Sequence, residues 1–403
     1  MSLAVAPSHA AHTTLSRALV ILFAFCCGAI VANIYYAQPI VGLIAPALGL
    51  SAASASLIVS LTQVGYALGL LLLVPLADLM ENRRLMICTS AVAALSLLGA
   101  ALSSQGSVFL ALSLLIGFSS VAVQMLVPLA AHMAPEHSRG KMVGNIMSGL
   151  LLGILLARPI SSLVADHFGW RMVFFGAAAL MLLIIVTLAL TIPQRVPEHR
   201  SSYAQLMGSL LTLLRRHSVL RQRSLYQALM FAAFSLFWTA VPIELAQQHG
   251  LSQSHIAVFA LVGAIGAIAA PIAGRLADAG HTRRATVLAL VMAPLAFLLS
   301  VSQPGYGVIG LALTGVLLDF AVQMNMVLGQ REVYALDPAS RGRLNALYMT
   351  SIFMGGALGS AVASYLYQHY GWAGIAAVGV ALPVVALLML GSTNLRRAGG
   401  QAV

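Results

Sequence analysis

Two ionisable side chains lie inside long apolar segments, where they could bind a solute or exchange a proton. Arg158 follows "GILLA", and Asp319 follows "GVLL". A charge within a lipid bilayer is costly unless it is paired or hydrated, so such residues usually mark a path for ions or substrates. Asp319 is the one carboxylate that the pattern places in mid-membrane, and we predict that Asp319 and Arg158 couple transport to protons.

Each of these two residues has a second interpretation. Asp319 could form a permanent ion pair or accept hydrogen bonds from neighbouring hydroxyl groups without exchanging protons. Arg158 could bind an anionic or carbonyl group of a substrate, or it could simply hold Asp319.

Further polar side chains recur at helical spacing within the apolar segments. Asp319 and Gln323, for example, are four residues apart and share one helical face. Such stripes can serve interhelical hydrogen bonding, but beside aromatic residues they also suit a pocket for a small amphipathic ligand. The predicted substrate cavity comprises Asn33, Tyr36, Gln38, Gln63, Tyr66, Gln124, Arg158, Trp238, Asp319 and Gln323.

The elements that must position these residues are transmembrane helices. Only 8% of the 403 residues are charged, and the mean hydropathy is +0.95. Segments of about 20 apolar residues, enough for a helix to cross a bilayer, recur throughout. We predict an all-α membrane protein with twelve spans at 17–45, 53–79, 84–104, 107–131, 140–165, 170–192, 224–247, 253–279, 284–302, 306–329, 342–367 and 372–392.

Basic residues follow the topology of these spans. If the N-terminus is cytoplasmic, 19 of the 21 Lys and Arg residues lie at cytoplasmic ends, and only Arg158 and Arg171 do not. This is a strong positive-inside pattern, and it predicts that both termini are inside. The dispersed basic clusters do not suggest nucleic acid binding. The cysteines and histidines lack the spacing of metal ligands, so no metal site and no cofactor are expected.

The spans divide into two repeated halves. "PLADLMENRR" (75–84) matches "RLADAGHTRR" (275–284), and "YYAQPI" (35–40) matches "WTAVPI" (238–243), so that Pro39 recurs as Pro242. The predicted organisation is a tail at 1–16, a six-helix bundle at 17–192, a linker at 193–223, a second pseudosymmetric bundle at 224–392 and a tail at 393–403. Within the linker, "YAQLMGSLLTLLRR" could lie on anionic lipid or bind a partner.

Two loop motifs carry a family resemblance. "GRLADAGHTRR" from Gly274 and the degraded copy "VPLADLMENRR" from Val74 resemble the loop motif of the major facilitator superfamily. The chain is similar to its twelve-span drug:proton antiporter group, which includes bacterial exporters of sugars and purine ribonucleosides. Antiporters of this group usually carry an arginine ahead of a glycine in span four, but the corresponding stretch "SLLIGFSS" (113–120) has no arginine. They also carry a Gly-Pro-x-x-Gly-Gly pattern in span five, whereas "RPISSL" (158–163) keeps Pro159 and replaces the glycines.

The resemblance implies a transporter that alternates access by rocking its two halves. The loop motifs would then latch the cytoplasmic side, with each aspartate capping a helix of the opposite half. The predicted gate residues are Asp78, Arg83, Arg84, Asp278, Arg283 and Arg284.

We therefore expect a bacterial inner-membrane exporter, not an enzyme, that moves a small amphipathic molecule outward against protons. The expected partners are a small-molecule substrate, protons and membrane lipids, and the protein is expected to be a monomer. Uptake, uncoupled facilitation and a non-transporting membrane sensor remain alternatives. No nucleotide-binding loop occurs in the sequence, so an ion gradient is the expected energy source.

Overall fold

The computed structural model describes residues 16–134, 138–194, 202–302 and 305–399, without the side chains of Arg139, Ala267 and 393–399. Predictions for 1–15, Arg195 and Arg200 lie outside the described residues. Within the described residues the chain forms helices and no strands. The first half contains α1 (Arg17–Ala32), α2 (Val41–Ala47), α3 (Leu57–Leu72), α4 (Asn82–Leu102), α5 (Gly106–Ser119), α6 (Val123–Met133), α7 (Arg139–Phe168) and α8 (Trp170–Thr191).

A linker helix and the second half follow. The linker contains α9 (Tyr203–Arg216). The second half contains α10 (Ser218–Gln247), α11 (Gln253–Ala260), α12 (Ala269–Asp278), α13 (Thr282–Val301), α14 (Val308–Tyr334) and α15 (Arg341–Gly399). Helix α10 thus begins six residues before the predicted start at 224, because its first turns continue directly from the linker.

The predicted all-α fold is confirmed. Its twelve predicted crossings correspond to ten long apolar stretches, one of which is double, and to the broken first span. Among the described residues, ten helical stretches are long and apolar enough to cross a membrane. The last of them, Pro338–Ser392, has 55 residues and contains two crossings, since Gly371 reverses the chain with φ 59° and ψ −157°. Gly169, its counterpart in the first half, has φ 85°. Both turns need a positive φ, which glycine adopts without strain.

The first span is broken, whereas we predicted one helix over 17–45. Helix α1 ends at Ala32, a turn follows, and a short 3₁₀ segment at Gln38–Ile40 leads into α2. The freed backbone is satisfied from a neighbouring helix, because the Ser161 hydroxyl donates to the Tyr36 carbonyl at 2.5 Å. Asn33, Tyr36 and Ile40 therefore do not share a helical face. In the second half, α10 stays helical through Pro242.

Two ends of the molecule can be distinguished. We call the end that carries the linker and the turns near 80 and 280 the linker end, and the opposite end, with the turns at Gly169 and Gly371, the far end. In the linker, Tyr203 of α9 donates its hydroxyl to the Leu72 carbonyl at the end of α3. The predicted linker helix is thus present, and it packs against the linker end.

Glycines allow close packing inside the first bundle. The Gly117 Cα lies beside the backbone of Thr62 in α3, and Gly28 of α1 faces Gly149 and Gly153 of α7. A side chain at these points would overlap the opposing backbone. In lipid the hydrophobic effect does not drive helices together, so close backbone approach of this kind packs them through van der Waals contact.

The two halves meet along α3 and α15. Ser56 and Ser364 exchange hydrogen bonds, each backbone N–H donating to the other hydroxyl at 3.1 and 3.2 Å. Deeper along the same seam, the Ser60 hydroxyl donates to the Ala357 carbonyl at 2.8 Å. Helix α7 also packs against α11. These contacts join the halves from the far end to the middle of the bundle.

The glycine packing can be tested with a matched pair of substitutions. Gly117→Ala should lower the free energy of unfolding by about 1–3 kcal/mol, because the new methyl group would overlap the Thr62 backbone. Gly176 of α8 faces open space, so Gly176→Ala should be neutral or slightly stabilising. Unfolding of the purified variants in mixed micelles measures both. Equal stability of the two variants would contradict the packing.

Candidate functional site

Arg158 of α7 lies in an aromatic cage at the interface between the halves. Its side chain is 4% exposed, and its guanidinium carbon lies 4.6 Å from the centre of the Trp238 ring. Tyr35 and Phe234 lie at 5.2 and 5.3 Å. Cation–π contacts of this kind are strongest where water is excluded. Trp238 and Phe234 belong to α10, so the cage takes walls from both halves.

Asp319 of α14 is held by the same tryptophan. The Trp238 Nε1–H donates to Asp319 Oδ1 at 2.7 Å, and the aspartate is 8% exposed. A Cβ atom placed on Gly263 would lie 2.8 Å from Asp319 Oδ2, so the missing side chain at this glycine makes room for the carboxylate. The two buried charges therefore share one indole.

Arg158 and Asp319 contact the same Trp238 side chain but do not form a direct ion pair within the described part of the chain. The Trp238 indole stands between them: its ring face contacts the cation, and its N–H contacts the anion. A change of charge at Asp319 would consequently alter its electrostatic attraction to Arg158. It would also change the hydrogen bond that holds the Trp238 ring beside the guanidinium.

Arg158 retains an unused hydrogen-bond donor. Its Nε donates to Gln38 Oε1 at 2.8 Å, whereas its Nη2 is buried and has no hydrogen-bond partner among the residues that the structure describes. A buried donor without a partner costs free energy, so it favours a ligand that brings an acceptor. Gln38 in turn donates to Thr239 Oγ1 of α10 at 3.3 Å and thereby links the broken first span to the second half.

Gln38, Arg158, Trp238 and Asp319 are the predicted cavity residues that the structure brings together. Gln63 lies nearby in the interface and donates to Ser235 Oγ of α10 at 2.7 Å.

The other predicted cavity residues differ in their surroundings. Asn33 donates to Ser120 and to the Met181 sulfur inside the first bundle, and Gln124 donates to the Tyr66 hydroxyl. The Tyr66 ring reaches the second half, where it meets Phe353 edge-on at 4.5 Å. Tyr36 is buried, and Gln323 is half-buried.

The predicted gate residues lie at the linker end. Asp278 forms an ion pair with Arg331 at 2.5 Å, and both residues belong to the second bundle. The observed partner of Asp278 thus lies in its own half, and a cap on a helix of the opposite half stays a prediction. For Asp78, Arg83, Arg84, Arg283 and Arg284, no ion pair occurs among the residues that the structure describes, so their role in a gate stays a prediction.

Sequence reasoning missed a third buried charge within a span and the polar centre of the second bundle. Glu244 of α10 is 1% exposed, although it lies inside the predicted span 224–247 and could have been counted there. Asn325 Nδ2 donates to Gln227 Oε1 at 2.6 Å. Arg223 pairs with Glu332 at 2.6 Å near the linker end. Arg223 lies at the edge of a span, where a charged side chain usually remains in water, so this pair was not predicted.

Comparison with known proteins identifies the family. The model of the family described as Major Facilitator Superfamily matches residues 20–335 and 223–399. The chain belongs to the Major Facilitator Superfamily. Two transporters of this kind are close in sequence. One is named "Uncharacterized transporter YgaY" from Escherichia coli O157:H7, 42% identical over 93% of this chain and 95% of that protein. The other is "Probable transporter SCO4007" from Streptomyces coelicolor, 33% identical over 90% and 84%.

Solved structures share the fold of this superfamily member at low sequence identity. The nucleoside transporter NupG has a TM-score of 0.74 and 15% identity, covering 93% of this chain and 99% of that one. A bacterial homologue of the human lysosomal transporter Spinster, in an inward-facing and occupied conformation, has a TM-score of 0.73 and 14% identity over 93% and 95%. The chain is thus a multi-pass transporter of the facilitator type.

The charge of Asp319 can be tested through its tryptophan partner. Trp238→Phe should lower the free energy of unfolding by about 1.5–3 kcal/mol, because it removes a hydrogen bond to a charged group. Trp372→Phe is the matched control, since the Trp372 Nε1–H donates to the neutral Ser300 hydroxyl at 2.9 Å and should contribute about 0.5–1.5 kcal/mol. Unfolding in mixed micelles compares them. Equal losses would indicate that Asp319 is neutral in the folded protein.

Proposed function

We propose that this facilitator is a secondary active transporter that exports a small amphipathic molecule in exchange for protons. The observation that carries the proposal is the buried array of Arg158, Trp238 and Asp319 between the two bundles. Two opposite charges in the apolar interior, linked through one side chain, are an arrangement that protonation can change. The transport function of the family agrees with this role.

Arg158 and its surroundings favour a particular kind of substrate. The unpartnered Nη2 can donate a hydrogen bond to a carbonyl, hydroxyl or carboxylate oxygen of a substrate. The aromatic rings around it favour a substrate that has a flat or apolar portion beside that oxygen. Drugs, sugars and nucleosides all contain such acceptors. NupG, which shares the fold, is named a nucleoside transporter, and this supports including a nucleoside in any substrate survey.

Asp319 is the proposed proton site. As a carboxylate it accepts the Trp238 hydrogen bond and attracts the Arg158 guanidinium. Protonation removes the negative charge, so the hydrogen bond weakens and the cation loses its nearest counter-charge. Because Arg158 and Trp238 belong to opposite halves, this loosens the contact between α7 and α10. Proton binding and movement of the halves are thereby coupled.

The proposed orientation in the membrane rests on the distribution of charge. Most basic residues lie at the linker end, which we assign to the cytoplasm by the positive-inside rule. This orientation places both termini inside, and we propose that the protein lies in the bacterial inner membrane as a monomer surrounded by lipid. Rupture of latches around Asp78 and Asp278 would open the cytoplasmic side, as in the drug:proton antiporter group that the chain resembles.

Transport and proton coupling can be measured in vesicles that contain the purified protein. Ethidium, lactose and inosine serve as probes of the three substrate classes, and a pH-sensitive dye inside the vesicles reports proton flux. For the probe that moves, an imposed pH gradient should drive accumulation. Asp319→Asn should reduce that accumulation by about tenfold or more, equivalent to about 1.4 kcal/mol, because the amide cannot exchange a proton. Downhill exchange of the probe should continue.

Asp166→Asn is the control, because this exposed carboxylate lies at the far end, and its hydrogen bond from the Ser254 hydroxyl of α11 can also be accepted by an amide oxygen. It should keep the gradient response. A full response in Asp319→Asn would refute the proton assignment, and wild-type flux that ignores the gradient would indicate an uncoupled facilitator. Absence of flux for all three probes would favour the sensor alternative.

A further inference from the structure

A cavity lies between the two bundles at the far end. It has a volume of about 620 Å³ and takes its walls from both halves. Gly42 and Ala55 belong to the first half, and Glu244, Tyr306, Tyr367 and Trp372 belong to the second. Arg158 and Asp319 do not line it, so this cavity is separate from the central array.

A buried carboxylate forms the polar side of this cavity. Glu244 Oε1 accepts a hydrogen bond from the Tyr306 hydroxyl at 2.7 Å, and Oε2 accepts one from the Tyr367 hydroxyl at 2.8 Å. His249 Nε2 lies 3.8 Å from Oε1 and has no hydrogen-bond partner among the described residues. Glu244 is thus oriented by two phenols that also face the cavity.

The two phenols present acceptor oxygens to a ligand. A tyrosine hydroxyl has one proton and two lone pairs, and here the proton is donated to the carboxylate. The Tyr306 hydroxyl keeps its proton in the hydrogen bond to Glu244. Its side chain is 38% exposed. The lone pairs and ring faces of these tyrosines, together with the nearby Glu244 carboxylate, therefore give the cavity surface a negative electrostatic potential.

Charge and shape select the class of ligand. No lysine or arginine lies among the described residues that line the cavity. A carboxylate behind tyrosine and tryptophan rings is typical of sites for organic ammonium ions. A metal ion is less suitable, because no group of three or more His, Cys, Asp or Glu residues is found in the described ranges. The volume admits a ligand of several heavy atoms.

We propose that this far-end cavity is a second ligand site, which binds a small organic cation with a substituted ammonium group. Aromatic faces and tyrosine oxygens surround the cation, and Glu244 supplies the counter-charge. Since the walls come from both halves, the bound cation stabilises the present contact between them. This site is independent of the proposed substrate cavity around Arg158.

The test compares choline with its uncharged carbon isostere, in which a tert-butyl group replaces the trimethylammonium group. Titration calorimetry on the purified full-length protein should detect binding of choline that is about tenfold or more tighter than binding of the isostere. Choline should also raise the thermal unfolding midpoint. Equal affinity for the two compounds, or no binding of choline, would overturn the proposal, and neither result depends on a variant.

Variants then locate the site. Glu244→Gln keeps the size of the side chain and should weaken choline binding about tenfold or more. Asp166→Asn removes an exposed carboxylate from the same end and should leave the affinity unchanged. Gly42→Leu places a side chain where a Cβ meets nothing within 4 Å, at the wall of the cavity, and should exclude choline without disturbing Glu244.

Asp319→Asn separates this site from the central array. It should bind choline as the wild type does, even if it loses proton-coupled transport. Wild-type choline affinity in both Glu244→Gln and Gly42→Leu would show that binding occurs elsewhere and would overturn the assignment. Loss of choline binding in Asp319→Asn would show that choline occupies the central array instead.

Discussion

The indole N–H of Trp238 donates to one oxygen of the buried Asp319, and the face of the same ring lies 4.6 Å from the Arg158 guanidinium. In the apolar interior of a membrane, each of these charges alone would be costly. Their shared contact offsets that cost and fixes how α7, α10 and α14 approach one another. The interface between the halves depends on it, because Arg158 reaches from the first bundle into a cage that the second bundle completes.

The two repeats meet this constraint differently. In the first half the chain unwinds after Ala32, which directs Gln38 toward Arg158 and Thr239. In the second half α10 runs unbroken through Pro242 and supplies Trp238 and Glu244 from one rigid helix. The pseudosymmetry of the sequence thus does not extend to the local backbone. One repeat provides a polar, irregular segment that is tolerated because it is buried in protein, and the other provides a continuous helix.

Much of the fold followed from the sequence, because length and hydropathy determine what can cross a bilayer. Most of the spans, and the burial of Arg158 and Asp319 within them, were predictable in this way. The break near Asn33 was not predictable, because the backbone carbonyl of Tyr36 that it frees accepts a hydrogen bond from Ser161, more than a hundred residues away in the sequence. Trp238 was predicted as a cavity residue, but its role as a bridge depends on three helices at once. The pairing of Asp278 with Arg331 likewise depends on tertiary packing.

The central claim is that the charge of Asp319 controls the contact between the halves. It is tested most directly by the distance between two spin labels at the linker end, introduced as Met80→Cys and His281→Cys in a Cys88→Ser background and measured by pulsed electron resonance. We predict that acidification shifts the distance distribution in the otherwise wild-type protein and leaves the distribution of Asp319→Asn unchanged. The same pH-dependent shift in both proteins would contradict the account.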